Sequence, residues 1–151
     1  MTVSTTRTQL DNIRQFHQQV ADYCARTAQL SSDERISMLL EYVGRHEQHL
    51  AEAIASYEKD GQTNVLNTWF RNIPDGAIPD PQSIAALGDA PSADDVINWA
   101  IKLDDAIIEF YKTLAAEAEI PELKVVLNNL LAMENREKLK MVRSALRIND
   151  I

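Results

Sequence analysis

The chain has 151 residues, 45% hydrophobic and 25% charged, enough for one domain with a sizeable core and too apolar for intrinsic disorder. Its 15 basic and 23 acidic residues leave a net charge of −8, which argues against nucleic acid or an anionic membrane as a partner, since both select basic surfaces. The single cysteine, Cys24, excludes an intramolecular disulfide and any multi-cysteine zinc or iron–sulfur site, and the opening MTVSTTRTQL lacks an apolar leader. With no run of 18 apolar residues, the expectation is a soluble protein of a reducing cytoplasm.

Seven of the nine Gly and Pro residues fall between Gly61 and Pro91, so two helix-permissive halves flank one breaker-rich crossover, 61–92. Helix 1, expected over 5–30, runs Leu10, Ile13, Phe16, Val20, Cys24 and Thr27 at a helical period. Ser31 to Glu34 reads as a capping box that restarts the chain as helix 2 over 32–60, with the stripe Ile36, Leu39, Leu40, Val43, Leu50, Ile54 and Tyr57 and a stop at Gly61. Within the crossover, Val65, Leu66, Trp69, Phe70 and Ile73 fit a short amphipathic helix over 63–73. It either caps one end of the bundle or forms a homodimer interface through Trp69 and Phe70.

Ser92 with Asp95 starts helix 3 over 93–118, whose stripe is Ile97, Ala100, Ile101, Ile107, Ile108, Tyr111 and Leu114. Pro121 opens helix 4 over 121–147, with Leu123, Leu127, Leu130, Leu131, Met141, Val142 and Leu146. The bases from Arg136 to Arg147 crowd its last turns, where the helix dipole favours them. Two short links and one long crossover predict an all-α, single-domain four-helix bundle over 1–151, built from two antiparallel hairpins and free of β-sheet.

The halves align at an offset of 88 residues, which pairs Tyr23 with Tyr111, Leu39 with Leu127, His46 with Glu134 and His49 with Glu137. Each second helix then carries an i, i+3 pair of potential ligands on one face. His17, His46, Asp104 and Glu134 interrupt the four apolar stripes, one per helix. Burying such groups is costly, so they must pair, hydrogen-bond or hold a metal.

At these residues the sequence resembles the rubrerythrin branch of the ferritin-like superfamily. The second half carries the resemblance from Ala100-Ile101-Lys102-Leu103-Asp104 through Phe110-Tyr111 and Leu114-Ala115 to Leu131-Ala132-Met133-Glu134-Asn135-Arg136-Glu137. The first half, Tyr23 to His46-Glu47-Gln48-His49, is a weaker copy. The resemblance implies a carboxylate on the first helix of each hairpin and Glu-x-x-His on the second, together holding two irons. Here helix 2 reads His46-x-x-His49, helix 4 reads Glu134-x-x-Glu137, and the repeat sets Phe16 opposite Asp104, with His17 beside it.

Two readings follow. In the first, His46, His49, Glu134 and Glu137, with Asp104 and His17 as further ligands, hold one divalent metal: iron, manganese or zinc. In the second the bundle is metal-free, pairs His46 with Glu134 and His49 with Glu137, and serves as an interaction or stress-associated module.

Overall fold

The computed structural model describes residues 2–150; Met1 and Ile151, the two ends of the expected domain, lie outside the described residues. Four long helices dominate: α1 (Thr6–Leu30), α2 (Glu34–Asp60), α5 (Ala93–Glu117) and α6 (Pro121–Asn149). Between α2 and α5 lie two single-turn helices, α3 (Thr63–Leu66) and α4 (Pro81–Ile84), and a strand, β2 (Trp69–Ile73). Among the described residues no helix is long and apolar enough to cross a membrane.

The helix starts follow local chemistry. The Thr5 hydroxyl accepts from the Thr8 amide at 3.2 Å. Ser92 and Asp95 form a reciprocal box, each accepting from the other's backbone N–H at 3.1 and 2.9 Å. At α2 the cap is Asp33, not Ser31: its carboxylate accepts from the Arg35 and Ile36 amides at 2.9 and 3.2 Å. A shorter, charged acceptor at the helix N-terminus is favoured over a hydroxyl two residues back, which here closes the turn onto Asp33 instead. Gly61 ends α2 because its backbone lies so close to the preceding turn that a Cβ would stand 2.6 Å from the Tyr57 carbonyl oxygen.

The core is continuous through all four helices and follows most of the expected stripes, with Leu10, Ile13, Val20, Leu39, Leu40, Val43, Ile107, Leu114 and Leu127 fully enclosed; Ile101, Leu131 and Val142 are only partly buried, and Leu146, at the end of its stripe, faces solvent. Three-residue links make α1–α2 and α5–α6 antiparallel hairpins. His46 meets Asp104 at mid-height, and the end of α2 (Tyr57, Asp60) faces the start of α6 (Val125, Val126), which follows directly on the end of α5, so α2 and α5 run parallel and the crossover traverses the length of the bundle. Trp99 of α5 pins that crossover by donating from Nε1 to the Ile84 carbonyl at 3.0 Å.

The crossover differs from the sequence reading. The amphipathic helix expected over 63–73 stops after one turn, and Trp69–Ile73 pairs as an antiparallel strand with β1 (Thr2–Thr5), Ser4 facing Phe70 and Thr5 facing Trp69. The Thr6 amide donates to the Thr68 carbonyl at 2.8 Å, and the Thr6 and Thr68 hydroxyls lie 2.7 Å apart. Apolar residues at 65, 66, 69, 70 and 73 suit a helix locally, but the amino-terminal segment supplies a strand partner more than 60 residues away. The expected exposed pair also separates: Phe70 turns inward and is 1% exposed, whereas Trp69 is 58% exposed.

The α1–α2 contact is close because α2 has no side chain at Gly44; an added Cβ would lie 3.1 Å from Cys24 Cβ and 3.5 Å from the Ala21 carbonyl oxygen. Gly44→Val therefore forces the hairpin apart and lowers stability by about 1–3 kcal/mol, measured by urea denaturation. An unchanged midpoint would show that this crossing is not close-packed.

Candidate metal centre

One ionisable side chain from each long helix reaches the middle of the bundle: His17 from α1, Glu47 from α2, Asp104 from α5 and Glu134 from α6, all with no exposed surface. His17 lies between two carboxylates, Nδ1 donating to Glu47 Oε2 and Nε2 to Glu134 Oε1, each at 2.5 Å. His46, also buried, donates from Nε2 to Asp104 Oδ2 at 2.8 Å. His17, Glu47 and Asp104 each offer a donor atom within 4.8 Å of the other two.

Of the residues singled out from the sequence, His17, His46, Asp104 and Glu134 thus meet in one buried layer. His49 lies on the exposed face of α2 and Glu137 at the half-buried edge of α6, so neither joins it. The pairings His46–Glu134 and His49–Glu137 do not occur: His46 bonds Asp104, and Glu134 bonds His17. The sequence reading missed Glu47.

The cause is a slip of one residue in the internal repeat. His17 and Asp104 are 87 residues apart, and so are Glu47 and Glu134. The same spacing superposes buried on buried residues at most core positions, among them Leu10 on Ile97, Val20 on Ile107, Cys24 on Tyr111, Leu40 on Leu127 and Ile54 on Met141. An offset of 88 rotates each match by about 100° around its helix, which exchanges Glu47 for His46. The Leu40–Leu127 and Ile54–Met141 matches are the signal that points to 87.

In the corrected register α2 presents Glu47-x-x-Leu50 and α6 presents Glu134-x-x-Glu137. Leu50 is fully enclosed and apolar, so neither position that would carry the histidine of a Glu-x-x-His pair supplies one to the layer. What converges is one imidazole and three carboxylates.

This donor set fits a cation. Glu47 Oε1, Asp104 Oδ1 and Glu134 Oε2 are buried and accept no hydrogen bond, a condition that is expensive unless a positive charge or a donor satisfies them. An imidazole with carboxylates suits Fe(II), Mn(II) or Zn(II).

The electrostatics are those of crowded charge. Burial works against a charged His17, yet the charges of Glu134 and Glu47 hold its imidazolium well above the usual histidine range. Burial, with Asp104 alongside, pushes the Glu47 carboxyl up, against the pull of His17. Asp104 is held low despite burial, chiefly by the hydrogen bond from His46. Burial, with Glu47 and Asp104 nearby, raises the Cys24 thiol, which disqualifies it as a nucleophile.

A second polar group lies toward the end of the bundle where α1 starts. Arg14 reaches Asp11 Oδ1 at 3.2 Å and Glu58 Oε1 at 3.7 Å. Burial and the neighbouring Asp11 push the Glu58 carboxyl up to about 7, while Glu58 and Arg14 beside it hold Asp11 low. Tyr111, fully enclosed with an unpartnered hydroxyl, has its phenol raised by burial and by the charges of both Glu134 and Glu58.

No protein-family model matches the chain, and comparison with curated proteins likewise gives no match. Among solved structures, a Thermotoga maritima protein provisionally described as a ferritin-like diiron-carboxylate protein superposes with a TM-score of 0.59 at 10% identity, covering 96% of this chain and 97% of that one. At such identity the likeness concerns the fold alone: the chain folds as a ferritin-like helical bundle.

Two measurements probe the layer. His17→Leu strips the one group that compensates both Glu47 and Glu134, so in the presence of chelator it costs about 3–5 kcal/mol in denaturant unfolding. A loss below about 1 kcal/mol would mean the carboxylates are solvated after all. The Glu58 carboxyl holds its proton to about pH 7 in the folded chain, against 4.5 for an ordinary glutamate. Its contribution to stability is therefore complete below the lower value and is lost as pH rises through the upper one. The thermal midpoint falls between pH 5 and 8, and Glu58→Gln flattens that slope; an equally steep slope in the variant would assign it to other groups.

Proposed function

We propose that this chain is a ferritin-like bundle whose buried layer binds one divalent metal ion, with Glu47 and Asp104 as carboxylate donors and His17 as the imidazole donor, its Nδ1 proton released to solvent as the ion binds while Nε2 keeps its hydrogen bond to Glu134. The observation that carries the reading is the convergence, from three different helices, of His17, Glu47 and Asp104, with an unpartnered oxygen on each of the two carboxylates and a third on Glu134 across the imidazole. His46 holds Asp104 in orientation from behind through its 2.8 Å hydrogen bond.

The description of the Thermotoga maritima neighbour as diiron-carboxylate supports a metal in this kind of bundle. The number one follows from this chain's own residues. Enclosed Leu50 and edge-lying Glu137 leave too few donors for a second ion. On this reading the chain is a rubrerythrin-like relative with an altered ligand pattern, working in the cytoplasm. Bound iron or manganese would supply one-electron chemistry, and zinc Lewis acidity.

A second reading rests on the two hydrogen bonds of His17. With both ring nitrogens donating to carboxylates, the imidazolium itself provides a positive charge at the centre, and the layer then serves only to set helix register in a metal-free interaction module.

Elemental analysis of untagged protein after incubation with Fe(II), Mn(II) or Zn(II) and desalting decides between them. The metal reading expects about one ion per chain in the wild type, a sharp loss in Glu47→Gln, a partial loss in His46→Ala and none in His49→Ala. Helicity survives in all three variants because the apolar stripes are untouched. Wild-type protein that remains empty with every ion supports the metal-free reading, and full occupancy in Glu47→Gln moves the site elsewhere.

A further inference from the structure

The buried side-chain atoms without a partner are not scattered. Among the described residues those that make no hydrogen bond are Glu47 Oε1, Asp104 Oδ1, Glu134 Oε2, Tyr111 Oη and Glu58 Oε1, the last reached by the Arg14 guanidinium at 3.7 Å. The first three belong to the central layer. The other two extend from it in one direction only, toward Asp11 and Arg14.

Helix geometry orders them. Tyr111 is seven residues beyond Asp104 on α5, about 10 Å along the axis, and Glu58 is eleven beyond Glu47 on the parallel helix α2, about 16 Å. In height along the bundle Tyr111 therefore lies between the layer and Glu58, and burial together with the charges of Glu134 and Glu58 raises its phenol. Exposure rises along the same line: the side chain of Glu134 is 0% exposed, that of Glu58 12% and that of Asp11 38%. The opposite end has no counterpart. The 87-residue repeat sets Cys24 against Tyr111 and Ala145 against Glu58, both buried and neither bearing an oxygen on its side chain.

We propose that Asp11 and Glu58 form the entry station by which a divalent cation reaches the central layer, with the Tyr111 hydroxyl as the intermediate oxygen donor and Arg14 as a guard over the entrance. The inference rests on the metal reading above and concerns the path, not the destination. Two adjacent carboxylates draw a cation from solvent and replace part of its water shell. The Arg14 guanidinium, 3.2 Å from Asp11 and 3.7 Å from Glu58, occupies them until an incoming ion displaces it. Each further step then ends on an oxygen that has no competing hydrogen bond.

The route predicts opposite kinetic effects from neighbouring residues at unchanged final occupancy. Co(II), followed by its visible absorption after rapid mixing with metal-free protein, serves as the probe. Glu58→Gln and Tyr111→Phe slow loading by about tenfold or more, Arg14→Gln accelerates it, and Glu52→Gln, an exposed acid elsewhere on α2, leaves it unchanged. Raising the ionic strength slows the wild type and Arg14→Gln and changes Glu58→Gln less.

Wild-type loading rates in both Glu58→Gln and Arg14→Gln, with one Co(II) bound at the end, overturn the route and leave the metal site standing. A wild type that binds no Co(II) overturns the site and the route together. Slowing by Glu52→Gln equal to that by Glu58→Gln overturns the route by reducing the effect to net charge. Should Tyr111→Phe fail to fold, Arg14→Gln still decides, because it alone is expected to load faster.

Discussion

Everything at the centre of this bundle turns on the cost of burying like charges. Glu47, Asp104 and Glu134 are completely enclosed, and three carboxylates cannot sit together in a low-dielectric interior without compensation. His17 compensates two of them directly and His46 the third. Those bonds tie α1 to α2 and α6, and α2 to α5, so the polar layer spans both hairpins at mid-height, where an all-apolar seam would tolerate sliding by a turn.

A divalent cation and an imidazolium are alternative answers to one electrostatic problem. Enclosed Leu50 removes a donor that a two-metal arrangement would use, and His17 brings a cationic group onto α1. Both features lie in neighbouring helices of the same hairpin.

The two hairpins are related by the 87-residue repeat in their cores but not in their ends. Tyr111 and Glu58 stand where the repeat offers Cys24 and Ala145, so polarity extends from the layer in one direction only. At that same end the α1 start is tied to the crossover through the β1–β2 pairing and the Thr6–Thr68 bonds. That tie holds the first turns of α1, and hence Asp11 and Arg14, against α2. The local backbone and the polar side chains serve the same end of the molecule.

Four helices, their order and most of their buried stripes are legible in the amino-acid order alone, because a 3.6-residue apolar period, the cap at Ser92 and the helix-opening Pro121 act within a few residues of chain. That order also marked His17, His46, Asp104 and Glu134 as polar interruptions of those stripes. It could not show which partner each one meets: a helix carries a wide apolar stripe, and a one-residue slip in matching the halves keeps most apolar positions while exchanging Glu47 for His46. Only the tertiary structure decided that His49 faces out, that Glu47 faces in, and that Trp69–Ile73 leaves the helical pattern to pair with Thr2–Thr5. In each case the deciding contact joins segments far apart in the chain, where local periodicity carries no information about rotation or pairing.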